Sequence, residues 1–213
     1  MGIFQILSND EITRFIFFPI SALIALTLHE LAHAYVAYRL GDNTAKNMGR
    51  LTLNPIKHID PIGLIMFVVV GFGWAKAVPV NYLNFENPKR GMAITAFAGP
   101  MTNLIIAFVA VFIHVVTYVF NAPFLMQMFF SGLAQINAVL VVLNMLPIPP
   151  LDGSKILNAL LDDRTYDKIL RYERFGMILL MILLFTGQLT GVLFTARNAI
   201  LELFYRICLL PFS

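Results

Sequence analysis

Apolar and polar positions alternate along this chain in long blocks, not at the short periods of a water-soluble fold. Phe15 to Leu28 carries no charged residue. As a helix rising about 1.5 Å per residue, the stretch from Arg14 to Arg39 is long enough to cross a bilayer, and Gly41 is its natural stop. Sixty-one consecutive residues, Gly91 to Leu151, contain no Asp, Glu, Lys or Arg, which is room for two more spans. Asn121-Ala122-Pro123 predicts the turn between them, and Pro147, Pro149 and Pro150 end the second. The block pattern therefore predicts spans at about 14–40, 92–120, 124–146 and 175–196, the last interrupted by the Gly187–Gly191 stretch GQLTG, and a terminal helix at about 198–210.

Between the first two spans the pattern changes. Residues 42–60 are polar, and PIGLIMFVVVGFGW (61–74) is apolar but too short to span, which predicts a re-entrant or shallow segment. In the following AKAVPVNYLNF, partial period-two alternation broken by Pro79 predicts an edge strand or small hairpin. The expected fold is an all-α, polytopic integral membrane helix bundle with a short re-entrant/β-strand segment, about 61–83, between the first two spanning helices. No internal repeat or linker divides it, so 1–213 reads as a single membrane-embedded domain.

Composition agrees with this reading. The chain is 59% hydrophobic and 13% charged, against about 45–50% and 25% in soluble domains. Its net charge of +3 could suggest nucleic acid, but the basic residues lie between apolar spans and not in a patch, so the expected partner is the lipid bilayer. The single cysteine, Cys208, excludes an intramolecular disulfide. The N-terminal residues lack the basic region of a cleavable signal, and Ile6 stands where myristoylation wants Ser or Thr. Lys155, Arg164, Lys168, Arg171 and Arg174 in one loop, and the basic segments from 39 to 90, predict that these face the cytoplasm, with the N-terminus and the 121–123 turn outside.

The first span carries three ionisable groups that an apolar helix would not hold without use: His29, Glu30 and His33. Four residues apart, the two histidines share a helix face and can offer two imidazoles to one metal. Glu30 lies about 100° around the axis, beside such a site, where a general base belongs. The alternative is a pair of buried histidines and a glutamate that only stabilise the bundle. A catalytic zinc needs a third protein ligand and an open position. His58 and His114 are candidates; Asp152 is better placed, because it follows the proline break at what should be the same depth as Glu30.

HELAH with AYRLGD, NPIKHIDPIG (54–63), AGPMTN (98–103) and NMLPIPPLDG (144–153) together resemble the site-2 protease family of intramembrane zinc metalloproteases, in a compact prokaryotic form without PDZ or CBS domain. The resemblance implies one Zn2+ held by His29, His33 and Asp152, Glu30 as catalytic base, and Asn144 as the neutral donor to the developing oxyanion. It also implies a substrate that is a transmembrane segment of another protein, cut in or near the membrane in regulated intramembrane proteolysis. Asn103 is a candidate for orienting substrate, weighed against interhelical hydrogen bonding. His58 either orients substrate or satisfies a nearby backbone group, and His114 and Trp74 read as incidental and as an interfacial anchor. The expected location is the plasma membrane with the active site toward the cytoplasm. An ion transporter or other metal-binding membrane protein without peptidase activity is the competing class, though transporters usually carry the internal repeats this chain lacks.

Overall fold

A computed structural model describes residues 17–70, 73–159, 161–162 and 173–212. The expected start of the first span at 14–16, the middle of the re-entrant stretch at 71–72 and most of the basic loop at 163–172 lie outside the described residues. Eight helices appear among those described: α1 Phe18–Arg39, α2 Thr44–Asn47, α3 Pro61–Val70, α4 Pro88–Val119, α5 Phe124–Asn144, α6 Asp152–Asn158, α7 Glu173–Phe185 and α8 Thr190–Leu209. Three of them, α1, α4 and α5, are long and apolar enough to cross a membrane. The chain is a multi-pass membrane protein.

Local signals set the helix ends. Helix α4 begins earlier than the uncharged run suggests because Asn87 accepts a hydrogen bond from the Arg90 amide at 3.1 Å and Pro88 supplies a preset first turn. Its polar first residues extend beyond the apolar stretch. Gly41, at φ +106°, ends α1 in a conformation that a residue with a Cβ rarely adopts. Asn121, at φ 50°, turns the chain between α4 and α5. The predicted last span is two helices: α7 and α8 meet at an 83° bend, because Gly187, at φ +74°, turns the chain after α7 before α8 starts at Thr190.

Small residues allow the three long helices to approach closely. Ala25, Ala34 and Ala37 on α1, Ala107 on α4, and Ala134 and Ala138 on α5 are completely buried. In a bilayer there is no hydrophobic drive between helices, so close van der Waals packing of such residues is the main source of association. One core cluster joins Ala107, Val111 and Val115 of α4, Ala134 and Ala138 of α5, and Leu201 and Cys208 of α8. Large side chains such as Ile105, Phe112 and Phe124 point outward and are exposed, as expected where lipid is the solvent.

Helix α3 has ten residues, about 15 Å, too short to span. In the segment after it, 75–81, no strand forms among the described residues; the pairing is a single antiparallel bridge between Ile59 and Ala75, with Lys76 donating to the His58 carbonyl at 2.9 Å. Tyr82–Asn84 turns into a short 3-10 helix, so the edge strand or hairpin expected in AKAVPVNYLNF does not form. Side chains hold this segment where a partner strand would. Arg50 donates to the Lys76 carbonyl at 2.5 Å, and Asp42 accepts from the Asn81 amide at 2.7 Å.

Candidate metal centre and catalytic cleft

Helix periodicity places His29 and His33 one turn apart, and their rings stand nearly perpendicular with centroids 4.5 Å apart. Asp152 arrives from the first turn of α6, 119 residues later in sequence. Its approach depends on Gly153, where a Cβ would fall 2.5 Å from the Leu146 carbonyl oxygen. The three ligating atoms form a nearly equilateral triangle: His29 Nε2 to His33 Nε2 is 3.0 Å, and each lies 3.1 Å from Asp152 Oδ2. All three residues are buried.

The donor chemistry of this triangle fits a cation. His33 Nδ1 is 2.7 Å from the Thr95 carbonyl, which can only accept. That nitrogen therefore carries the proton, and a neutral His33 presents a bare lone pair at Nε2. A lone pair, a second imidazole nitrogen and a carboxylate oxygen then face one another at about 3 Å in a buried site. Protons on a neutral pair of imidazoles cannot satisfy all three edges; one divalent ion can. A tetrahedral zinc with bonds of about 2.0–2.1 Å separates its ligands by about 3.3 Å, a few tenths more than the triangle shows.

Several contributors carry no motif that the sequence alone would reveal. Gly99 on α4 lies against the two imidazoles: a Cβ there would fall 2.5 Å from His29 Cε1 and would also strike the His33 ring. The Thr95 carbonyl belongs to the preceding turn of the same helix. Glu30 Oε2 accepts from the Val78 amide at 2.8 Å, which ties the carboxylate to the 75–81 segment. Lys155 approaches Asp152 Oδ1 at 3.5 Å. Gly99 stands in the AGPMTN stretch, which marks a small residue there but not the rings it admits.

The triangle and Glu30 line one cleft, of about 1380 Å³ including its open mouth, together with Trp74, residues 75–78, Asn144 and Leu151. Asn144 thus reaches the cleft, where its Nδ2 donates to the Leu140 carbonyl of its own helix at 3.1 Å, leaving a second N–H. Asn103 does not line the cleft; it is fully buried, and neither end of its amide has a partner among the described residues. His58 faces a neighbouring apolar groove and bonds the Thr52 carbonyl at 2.9 Å. His114 pairs with Tyr205 at 2.8 Å, on α4 and α8, away from the triangle.

Two helical histidines one turn apart, a carboxylate between them in sequence and an aspartate closing the triangle, all within an apolar helix bundle, define the class: a membrane-embedded metallopeptidase. Comparison with known proteins gives the same answer. The family model described as peptidase family M50 matches residues 121–187. The Bacillus subtilis protein YwhC, which carries a zinc metalloprotease name, is 41% identical over 212 residues, covering 91% of this chain and 97% of its own. The similarly named Rip2 of Mycolicibacterium smegmatis is 34% identical over 179 residues, 78% of this chain and 66% of its own, and a Methanocaldococcus jannaschii relative is 31% identical over 150 residues, 70% and 73%. No solved structure matches significantly. The chain belongs to peptidase family M50, the site-2 proteases, and is a zinc metalloendopeptidase.

Proposed function

We propose that this peptidase hydrolyses peptide bonds in or near the transmembrane segments of other membrane proteins, as in regulated intramembrane proteolysis. The observation that carries the reading is the site's setting: three ligating atoms and a carboxylate, borne on a spanning helix and an adjoining turn, open into a cleft walled in part by residues 75–78. The basic residues around that end of the bundle, Arg39, Lys46, Lys57 and Arg90 among them, support an active site toward the cytoplasmic side of the plasma membrane.

In this reading His29, His33 and Asp152 hold the ion. Bound zinc supplies Lewis acidity, polarising a peptide carbonyl and lowering the pKa of water from 15.7 toward about 7. Glu30 has Oε2 engaged by the Val78 amide, so Oε1 is free to take a proton from the attacking water and return it to the leaving amine. Asn144 donates its remaining N–H to the oxygen that gains negative charge. A helical substrate hides its carbonyls in its own hydrogen bonds, so it must unwind to be cut. In segment 75–81 the backbone groups of Lys76 and Val78 are already held by Arg50, Glu30 and His58, and the Ala75 and Ala77 amides are the ones we assign to pairing with the unwound peptide. Proline in place of Ala75 or Ala77 should then slow cleavage, and undiminished turnover would remove the pairing idea.

The deciding experiment compares wild type with Glu30→Gln on reconstituted single-span substrates. The variant should retain zinc and lose cleavage; continued turnover would reject Glu30 as the base, and wild type that cleaves only soluble peptides would reject the membrane substrate.

A further inference from the structure

Beside the cleft lies a second concavity that the chemistry above does not use. Its walls are α1 from Phe18 to Thr27, α5 from Ile136 to Leu143 and the start of α3. Along α1 that is about 14 Å and along α5 about 10 Å at 1.5 Å per residue, room for roughly two helical turns of a guest chain. The groove opens sideways at Leu23 and Leu64, which are 36% and 48% exposed. At its lower end it runs into the catalytic cleft without a break: Leu26, Asp60, Trp74, Ala75, Leu140 and Leu143 line both.

The groove is apolar except at Asp60, which lines both concavities, and at two residues next to the shared wall whose buried polar atoms have no partner among the described residues. His58 is 2% exposed; its Nε2–H donates to the Thr52 carbonyl, which makes Nδ1 a bare acceptor, and that acceptor is unpaired. Thr27 is 5% exposed, and its hydroxyl is also unpaired, although a helical threonine ordinarily bonds back to its own helix. Buried polar atoms are rarely left this way. One acceptor and one donor are what a guest helix needs at the point where it gives way to extended chain, because a helix end frees backbone N–H and C=O groups and lipid offers them nothing. Thr27 stands only two residues before His29.

We propose that this groove receives the still-helical, apolar part of the substrate's transmembrane segment on one side of the scissile bond, and that His58 and Thr27 accept and donate to the backbone groups released by unwinding. The proposal rests on the intramembrane reading and adds to it a route from the bilayer, a length of bound helix and two specificity-determining residues. A charged residue within two turns of the bond on that side would be excluded.

Cysteine cross-linking in reconstituted full-length Glu30→Gln, Cys208→Ser protein tests the placement, with single cysteines at Leu23 or Leu64 in the groove, at Val80 in the cleft, and along a single-span substrate. Groove cysteines should capture substrate positions on one side of the bond at a spacing of three to four residues, and Val80 positions at the bond itself. Capture at Val80 with none in the groove, the result if lipid fills it, would overturn the groove and leave intramembrane cleavage standing. No capture at either, with no cleavage by wild type, would sink both. Kinetics tests the polar pair: Thr27→Val and His58→Leu should each lower kcat about tenfold on a regular helical segment, the scale of one lost hydrogen bond. Both should approach wild type on a segment loosened by glycine, and Thr27→Ser should keep the wild-type rate. Equal losses on both substrates would mean a structural role only and would overturn the assignment.

Discussion

Replacing Gly99 by alanine should disable the metal centre without touching a ligand. The added Cβ would stand 2.5 Å from His29 Cε1 and inside contact distance of the His33 ring, whereas carbon atoms pack at about 3.5–4.0 Å. One side must retreat by about 1 Å. The imidazoles have little freedom to do so: His33 Nδ1 is held at 2.7 Å by the Thr95 carbonyl on the same helix as Gly99, and the α1 backbone is packed through fully buried Ala25 and Ala34. Separating α1 from α4 moves His29 and His33 away from Asp152, which comes from α6, and opens a triangle whose edges are 3.0–3.1 Å. Metal sites tolerate about 0.2 Å in bond length. The expected result is zinc affinity lower by about 10–100-fold, the scale seen when a ligand's supporting contacts are lost, and turnover lower by about 100-fold from a 1 Å misplacement. Zinc content after dialysis against a weak chelator, and kcat/KM on a membrane substrate, measure the two. Gly191→Ala is the control: it stands in the first turn of α8, and nothing lies within 4 Å of its Cβ among the described residues. Stoichiometric zinc and wild-type turnover in Gly99→Ala would refute the reasoning.

Removing zinc with a chelator should abolish cleavage and lower the thermal midpoint, both recovering on zinc addition; at 100-fold excess over Kd the bound ion stabilises the fold by about 2.7 kcal/mol. Asn144→Ala should keep zinc and lose about 10²–10³ in kcat, and an unchanged kcat would return Asn144 to a role within its own helix. Asp42 gives the pH prediction. Burial opposes its ionisation, but hydrogen bonds from Thr44, Asn84 and the Asn81 amide outweigh that and hold its carboxyl below the ordinary 3.8. A folded value lower than the unfolded one stabilises fully above the unfolded value and is lost as pH falls through the folded one. Acid unfolding in detergent should therefore be shallower below about pH 4 in Asp42→Asn than in wild type, and superimposable curves would show that the carboxylate contributes nothing.

Much of the site was legible because its chemistry is local. His29, Glu30 and His33 lie on one helix, so periodicity alone relates them, and the cost of ionisable groups in lipid argues that they are used. Asp152 was within reach because the proline cluster ends α5 and brings the chain back at a recognisable depth. What could not be read were contacts made by backbone atoms and by empty space: the Thr95 carbonyl that selects the His33 tautomer, the missing Cβ of Gly99, and the Val78 amide on Glu30. A backbone carbonyl or amide has no residue-type signature, and a glycine does not say which rings it admits. The strand expectation for AKAVPVNYLNF shows the converse limit: alternation with β-branched residues suggests a strand, but here Arg50, Glu30 and Asp42 side chains hold the segment in place of a partner strand.

By itself the sequence determined that the chain is a bundle of apolar helices, which of those helices carries metal-binding chemistry, and where the turns fall, because membrane insertion and helix periodicity depend on short stretches of residues. Only the tertiary structure decided that α1 and α4 touch at Gly99, that the interruption at GQLTG is an 83° bend, and that a groove from α1, α3 and α5 empties into the cleft. Those outcomes depend on which helix faces meet, and in a bilayer, where every face is apolar, the pattern of hydrophobic residues no longer says which face turns inward.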